Sequence, residues 1–179
     1  MIKFILLGFL NYGPMTGYEL KQSIDNSTAH FWHAHHSQIY TTLRQMEQEE
    51  LVTSVYIKEE SQPDRRVYTI TEKGKQALAG WLDQSMTEAT QIKEELLVRI
   101  FFSASRNPQN VLAELRVQLQ RHQEQLATYR QIAEEIPHIN DPQLPRDQVF
   151  WRATLEMGIR YEQMYLEWLH DTIKTIEHL

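Results

Sequence analysis

The sequence lacks cysteine altogether, and it also lacks long apolar runs and the short motifs of the common enzyme classes. The absence of cysteine excludes a disulfide framework and thiolate metal ligands, and it suits a reducing cytoplasm. No apolar run approaches the roughly 20 residues of a membrane span, so we expect no membrane association. A nucleophile elbow, a Walker loop and a dinucleotide fingerprint are missing, which predicts a protein that is not an enzyme and needs no cofactor.

The chain also lacks an excess of basic residues. Its net charge is −6, and residues 1–85 carry 8 Lys and Arg against 10 Asp and Glu, while residues 86–179 carry 10 against 14. This balance argues weakly against nucleic-acid binding, but a DNA-binding surface needs only a local basic patch. The content of 41% hydrophobic and 23% charged residues excludes wholesale disorder.

The pattern of apolar residues divides the chain into two regions, 1–84 and 87–179. The first alternates quickly between short apolar runs and turn signals, whereas the second reads as long helices with few breaks. The opening apolar run is broken by Tyr12, Gly13 and Pro14, so it predicts a first helix rather than a signal peptide. The predicted fold class is mainly α, with an N-terminal winged helix-turn-helix and C-terminal long helices for dimerisation and effector binding.

Six elements are predicted in the first region. In chain order they are a helix over 2–11, a helix opened by Thr16 or Gly17, a helix capped by Ser37, strands over 51–58 and 66–70, and a helix capped by Thr71. On the first strand, Leu51, Thr53, Val55 and Ile57 share one face. Three helices, a hairpin and a further helix follow the order of a winged helix-turn-helix.

The second region is predicted to hold three helices, over about 91–102, from Asn107-Pro108 to Pro137, and over 147–177. The middle helix has a coiled-coil seam of Leu112, Leu115, Leu119, His122, Leu126, Tyr129, Ala133 and Ile136. The last helix has one apolar stripe of Phe150, Ala153, Met157, Tyr161, Met164 and Trp168, and another of Trp151, Leu155, Ile159, Leu166, Leu169, Ile173 and Ile176. Because two stripes need two partners, we expect the seam helix of the same chain and a second subunit, in a homodimer.

The third predicted helix combines a narrow apolar face with a polar one. Ile39, Leu43 and Met46 form the apolar face, which we expect to be buried. The opposite side, named the recognition face, consists of Ser37, Gln38, Tyr40, Thr41, Arg44 and Gln45. This face carries hydroxyls, amides and one arginine, and no acid until Glu47 and Glu49, so it can bind base edges and phosphates. An ordinary solvated helix is the alternative, although it would usually carry more Glu and Lys.

The predicted hairpin adds Lys58, Arg65 and Arg66 around a polar tip over 59–64. Adjacent arginines in such a wing can bind a phosphate or enter a minor groove. An ordinary charged turn explains them equally well in isolation. Together with the recognition face, they favour binding to double-stranded DNA.

Three motifs in the first region resemble the PadR family of bacterial transcriptional regulators. They are LLG over 6–8 with GPMTGYEL over 13–20, FWHA over 31–34 with HSQIY over 36–40, and RVYTITEKG over 66–74. The resemblance covers residues 4–82 closely, and the helical second half is similar in layout to the longer branch of phenolic-acid-responsive repressors and virulence activators. It implies a cytoplasmic homodimer that contacts DNA with its third helix and wings.

The resemblance further implies repression relieved by a small aromatic effector, although the family also contains activators. Two positions depart from the family pattern. Thr41 stands where relatives often have proline, and because it faces outward the operator sequence is expected to differ. Glu50 stands where they often have glycine, and it is expected to change only how the helix ends.

Four histidines, His30, His33, His35 and His36, crowd one short stretch and raise a metal-sensor alternative. Without cysteine or a nearby carboxylate, we expect no metal site here. His36 instead packs at the helix start or meets an acidic effector between the two regions.

Aromatic residues on the last helix raise a second effector hypothesis, with Trp151, Tyr161, Tyr165 and Trp168 offering stacking surfaces to a flat ligand. A plain core role is the alternative for these aromatics, and Glu156 and Glu162 beside them are expected on a solvated face. For the whole chain, a protein-interaction module without DNA binding is the alternative from another class.

Overall fold

The computed structural model describes residues 1–28, 31–59, 62–87, 93–135 and 145–178, and it describes the side chains in these ranges except those of 58, 59 and 62–64. The chain divides into two compact units, Met1–Ala89 and Thr90–Leu179. Each unit has its own hydrophobic core.

The first unit is a winged helix. Its elements are α1 (Ile2–Leu10), β1 (Met15–Thr16), α2 (Gly17–Ser23) with a π-helical turn (Ile24–Thr28), α3 (His36–Gln48), β2 (Val52–Glu59), β3 (Gln62–Ile70) and α4 (Glu72–Leu82). The predicted order of three helices, a hairpin and a helix is confirmed.

Local caps explain where the helices of this unit begin. The Thr16 hydroxyl accepts from the Glu19 backbone N–H at 3.1 Å while the Glu19 carboxylate accepts from the Thr16 N–H at 2.7 Å, a reciprocal capping box. The Thr71 hydroxyl caps α4 by accepting from the Gly74 N–H at 3.0 Å. The prediction of Ser37 as a cap is wrong, because α3 begins at His36 with His35 in the capping position.

The sheet of the first unit has three strands in the order β1-β3-β2. The two-residue strand β1 pairs antiparallel with Tyr68 and Val67 of β3, and no sequence pattern predicted so short a strand. The hairpin is longer than predicted, because β3 begins at Gln62 rather than at residue 66. We name β2, β3 and their connection, residues 52–70, the wing.

The face of β2 that carries Thr53 and Val55 was marked by the alternating pattern, but it points away from the core. Val52 is buried, whereas Val55 is 60% exposed. Since side chains alternate across a strand, Val52 and Ser54 share the inward side and Thr53 and Val55 the outward side. The core itself joins Leu6, Leu7 and Leu10 of α1 to Ile39, Leu43 and Met46 of α3, together with Leu20, Ile24, Ala34, Leu51, Val52, Tyr68 and Leu78.

The second unit is a long helical hairpin preceded by a short helix. It contains α5 (Glu95–Phe101), a 3₁₀ turn (Ser103–Ser105), α6 (Pro108–Glu135) and α7 (Arg146–Glu177). Helix α5 is shorter than the predicted 91–102. Residues 91 and 92, and the predicted seam residue Ile136, lie outside the described residues.

Helices α6 and α7 pack antiparallel. Contacts run from Arg116 to Glu177, from His122 to Glu162 and from Ala133 to Arg152, so residue numbers fall along one helix as they rise along the other. Leu115 and Leu169 are fully buried between them. In the part of the chain that the structure describes, no helix is both long and apolar enough to cross a bilayer.

Candidate nucleic-acid interface

Helix α3 presents the recognition face outward because its opposite side is anchored in the core. Ile39, Leu43 and Met46 have no exposed surface at all. Five of the six predicted residues are exposed: Ser37, Gln38, Thr41, Arg44 and Gln45. The rotation of α3 about its axis is therefore fixed by packing, so the polar groups are held at the surface without ligand.

Two amides of the recognition face already have partners. The Gln38 carbonyl oxygen accepts from the His35 backbone N–H at 3.1 Å, which caps the start of α3. The Gln45 amide donates to the Glu49 carboxylate at 2.8 Å. Arg44 differs, since none of the described residues forms an ion pair with it. Its five N–H donors are available to an external acceptor.

Tyr40 occupies a different environment from the other five residues. Its half-buried ring covers Gly17, where an added Cβ would lie 2.7 Å from ring carbons. The His36 ring lies 4.6 Å away, centroid to centroid. Glycine at position 17 thus permits the close approach of α2 and α3, and Tyr40 helps to hold the two helices together.

The structure separates the two arginines of the wing. Arg66 pairs with Tyr56 across the hairpin and Arg65 with Ile57, so the two side chains point to opposite faces of the wing. Arg65 is exposed, whereas Arg66 turns toward α3. The side chain of Lys58 lies outside the described residues. Of the three predicted wing residues, Arg65 is the one that the structure places at the described surface of the wing.

Arg66 binds within the first unit. Its Nε donates to the Ser54 hydroxyl at 2.8 Å, and its guanidinium forms an ion pair with Glu47 of α3. Ser54 also donates to Glu47 at 2.6 Å. The Ser54 hydrogen bond, followed by Arg66, lowers the pKa of the Glu47 carboxyl, so this group stays ionised.

The predicted effector residues do not form one group. Tyr165 is buried, and its ring stacks on the His122 ring at 4.0 Å and meets Trp168 edge-on at 5.3 Å. Tyr161 lies 5.8 Å from Tyr165. Trp151 is 48% exposed and lies ten residues before Tyr161 on α7, about 15 Å away along the helix axis. His36 belongs to the first unit.

The sequence pattern did not predict the burial of one carboxylate in the second unit. Glu162, expected on a solvated face, is 6% exposed and lies 2.5 Å from Nδ1 of His122. The signal was His122 itself, since a polar residue on an apolar seam needs a partner on the facing helix. Beside this pair, burial raises the pKa of Tyr165 to about 12, with a smaller contribution from nearby carboxylates.

The histidine stretch forms no metal centre within the described residues, which hold no group of three or more His, Asp or Glu placed to share an ion. His33, His35 and His36 are all exposed. His30 lies outside the described residues.

A winged helix followed by a long helical hairpin in one chain defines the class of winged-helix transcriptional regulators. The model of the transcriptional regulator PadR-like family matches residues 6–80 of this chain. The model of the virulence activator alpha C-terminal domain matches residues 92–177.

Individual relatives match along nearly the whole chain. The negative transcriptional regulator PadR of Bacillus subtilis is 25% identical over 178 residues, which are 99% of this chain and 98% of the relative. The crystal structure of that protein with operator DNA has a TM-score of 0.84, and the one with p-coumaric acid 0.77, at 24% and 25% identity and 98% coverage of both chains. The Vibrio cholerae virulence activator AphA has a TM-score of 0.78 at 24% identity, with 99% of each chain covered.

The first region of the chain thus matches the PadR-like family of transcriptional regulators, and the second matches the C-terminal domain of virulence activators. The family resemblance and the fold class inferred from the motifs are thereby confirmed. This is a family of regulators and not of enzymes.

Proposed function

We propose that this protein is a homodimeric, sequence-specific DNA-binding repressor that a small aromatic compound releases from its operator. The observation that carries the proposal is the recognition face of α3. It exposes hydroxyls, amides and an arginine without an acidic residue among them, and the fully buried Ile39, Leu43 and Met46 hold it outward. A helix of this kind fits the major groove and presents donors and acceptors to base edges.

We assign DNA binding to the region 1–84 and dimerisation with effector binding to the region 87–179. Ser37, Gln38, Thr41, Arg44 and Gln45 are the candidate base and backbone contacts, with Tyr40 as a positioning residue that also reaches the edge of the face. In the wing, Arg65 and Lys58 are the candidate phosphate contacts. A regulator that binds the chromosome works in the cytoplasm.

Release by an aromatic compound is proposed from two supports. Bacillus subtilis PadR, a negative regulator, has been crystallised both with operator DNA and with p-coumaric acid. In this chain, Tyr161, Tyr165 and Trp168, whose rings neighbour one another on α7, are the candidate contacts for a phenolic acid. Trp151 and His36 are separate candidates, since neither belongs to that group. Anisotropy of the DNA complex during titration with p-coumaric acid tests this, and stable binding throughout would leave the effector unsupported.

Dimerisation is proposed through α7. The stripe of this helix that turns away from α6 leaves Phe150, Met157 and Met164 between 51% and 65% exposed. Exposed apolar side chains aligned along four turns of one helix are typical of a surface covered in the assembled protein. We propose a second copy of this chain as the cover, since a twofold interface also places two recognition helices on one operator.

The first test is fluorescence anisotropy on a duplex from upstream of the gene that encodes this protein, at two salt concentrations, with a scrambled duplex as control. We expect tight binding to the upstream duplex alone, which weakens steeply as salt rises because phosphate contacts release counterions. Equal or absent binding to both duplexes would contradict local autoregulation and favour an interaction module whose ligand is a protein.

Arg44→Ala tests the recognition face. If Arg44 reads a guanine, this variant should lose about 1–3 kcal/mol of operator affinity and discriminate less between operator variants. Arg121→Ala, which removes an exposed arginine from the second unit, is the matched control for charge. Unchanged discrimination in Arg44→Ala would reassign this residue to a phosphate.

A further inference from the structure

The ion pair between Glu47 and Arg66 joins α3 to the wing. Glu47 lies in the last turn of α3, on the same helix as the recognition face, while Arg66 lies on β3. The Ser54 hydroxyl of β2 bonds to both side chains. Three elements thus meet in one hydrogen-bonded cluster.

The cluster is built to hold one geometry. The Arg66 guanidinium lies 5.1 Å from the Tyr56 ring centroid and 5.3 Å from that of Tyr68, so rings on both strands flank it. The side chains of Glu47 and Arg66 are each about 30% exposed. A planar guanidinium with ring contacts and several hydrogen bonds loses less freedom for each bond than a flexible surface pair.

We propose that Glu47 is a positioning residue for DNA binding, and that Arg66 acts through Glu47 rather than on a phosphate. The cluster sets the angle of the wing relative to α3, so the helix and the wing contact the same duplex at once. This inference rests on the proposed DNA-binding function and deepens it. It assigns an acidic residue a favourable role at a surface whose ligand is a polyanion.

The sign of the effect separates this proposal from simple electrostatics. Removing the charge of Glu47 lowers the negative charge of the DNA-binding unit, so Coulomb attraction alone predicts tighter binding to any duplex. If Glu47 positions the wing, Glu47→Gln instead weakens binding to the upstream duplex, by about tenfold, the scale of one lost base or backbone contact. Binding to the scrambled duplex should not weaken.

Glu49→Gln is the matched control. Glu49, the residue that follows α3, is also a carboxylate paired with a cation, Lys3 of α1 at 3.1 Å, and it accepts from the Gln45 amide at 2.8 Å. Neither partner lies on the wing. Glu49→Gln removes the same charge near the same helix end, keeps a side-chain oxygen that can accept from the Gln45 amide, and leaves the wing cluster intact. We expect this variant to bind the upstream duplex at least as tightly as the parent protein.

The experiment measures each variant in two ways. Anisotropy and hydroxyl-radical footprinting on the upstream duplex report affinity and wing contacts, while hydrogen exchange of the free protein reports on the strands of the wing. For Glu47→Gln we expect lost protection of DNA flanking the centre of the footprint, and faster exchange in β2 and β3 with α1 unchanged. Arg66→Lys and Ser54→Ala should change the wing in the same direction.

Two results would overturn the proposal. The first is unchanged hydrogen exchange of the wing in Glu47→Gln. This measurement uses the free protein, so it tests the wing cluster even if the parent protein does not prefer the upstream duplex and the proposed function is wrong. The second is operator binding in Glu47→Gln as tight as in Glu49→Gln, with the full footprint retained. A lower salt slope in Arg66→Gln but not in Glu47→Gln would return Arg66 to a direct phosphate contact.

Discussion

Glu50 ends helix α3 in a left-handed backbone conformation, with φ of 59°. The Leu51 N–H donates to the Met46 carbonyl at 2.8 Å and the Glu50 N–H to the Glu47 carbonyl at 3.0 Å, the two bonds of a Schellman motif. Leu51 and Met46 are both buried, which supplies the hydrophobic contact of that motif. As expected for the departure at position 50, the glutamate affects the end of this helix.

Replacing Glu50 with glycine should stabilise the protein. A side chain in the left-handed region costs about 1–2 kcal/mol, which glycine removes. Glycine also loses more backbone entropy on folding, and this cost cancels about half of the stabilisation. We expect the free energy of unfolding to rise by about 0.5–1 kcal/mol in urea denaturation. Glu50→Ala keeps the Cβ but loses the exposed pair with Lys73, so it should show no gain. An equal rise in the free energy of unfolding in both variants would show that the carboxylate, and not the backbone conformation, destabilises the parent protein.

Gly74 is required because the first turn of α4 passes directly over Leu51, which connects α3 to β2. An added Cβ would lie 2.2 Å from the Leu51 carbonyl oxygen and 2.8 Å from a carbon of Ile70. We expect Gly74→Ala to lower the free energy of unfolding by about 1–3 kcal/mol, since backbone atoms must move.

Gly80→Ala is the control for Gly74→Ala on the same helix. No atom lies within 4 Å of its added Cβ, so the better helix propensity of alanine should stabilise by up to about 1 kcal/mol. Thermal or urea unfolding of both variants gives the comparison. A loss of similar size at both positions would show that α4 tolerates no substitution, independent of the contact with Leu51.

At the scale of elements, the α6–α7 hairpin buries a polar pair within an apolar seam. His122 and Glu162 lie on facing helices, and the Tyr165 ring covers the His122 ring. Near the other end of the hairpin, the buried Arg152 donates to the Ala133 carbonyl at the end of α6 and binds Glu156. These contacts require one register between the helices, which apolar seams alone specify less strictly.

The His122–Glu162 pair should show strong coupling in a double-mutant cycle. Glu162→Leu leaves the His122 ring without its acceptor, and His122→Leu leaves a buried carboxylate uncompensated, so each should cost about 2–4 kcal/mol. The double variant should recover most of the loss because neither polar group remains. Urea denaturation of the four proteins measures the coupling. Additive losses would mean that the two side chains contribute independently.

At the scale of the whole molecule, two units with separate cores share one chain. The first unit has a compact mixed core beneath a small sheet, and the second buries one side of each long helix. The side of α7 that carries Phe150, Met157 and Met164 is left without cover in a single chain. The proposed assembly of two copies follows from this exposed side.

Introducing charge into the exposed stripe of α7 should separate the dimer. Met157→Asp together with Met164→Asp places two charges where we propose apolar contact, so the sedimentation coefficient should fall to that of a monomer. The operator affinity should also fall, because a monomer brings only one recognition helix to an operator with two half-sites. Gln131→Asp, at an exposed polar position on α6, is the control. A dimer that persists in the double variant would place the interface elsewhere.

The sequence alone determined the features that depend on local rules. Caps at Thr16 and Thr71, the Pro108 start of α6 and the periodicity of α3, α6 and α7 indicated the elements, since these signals act within a few residues. The apolar spacing of Ile39, Leu43 and Met46 also predicted which side of α3 faces outward. Family motifs then supplied the class of protein.

Tertiary structure alone decided which polar side chains face a partner. Arg65 and Arg66 look equivalent in sequence, but strand alternation sends them to opposite faces, and Glu47 captures one of them. Glu162 looks like a solvated carboxylate until His122 lies opposite it. The short strand β1 exists only because β3 is there to pair with it. The contacting residues in these cases are 19 to 53 positions apart in the sequence, and no local pattern encodes contacts at such separations.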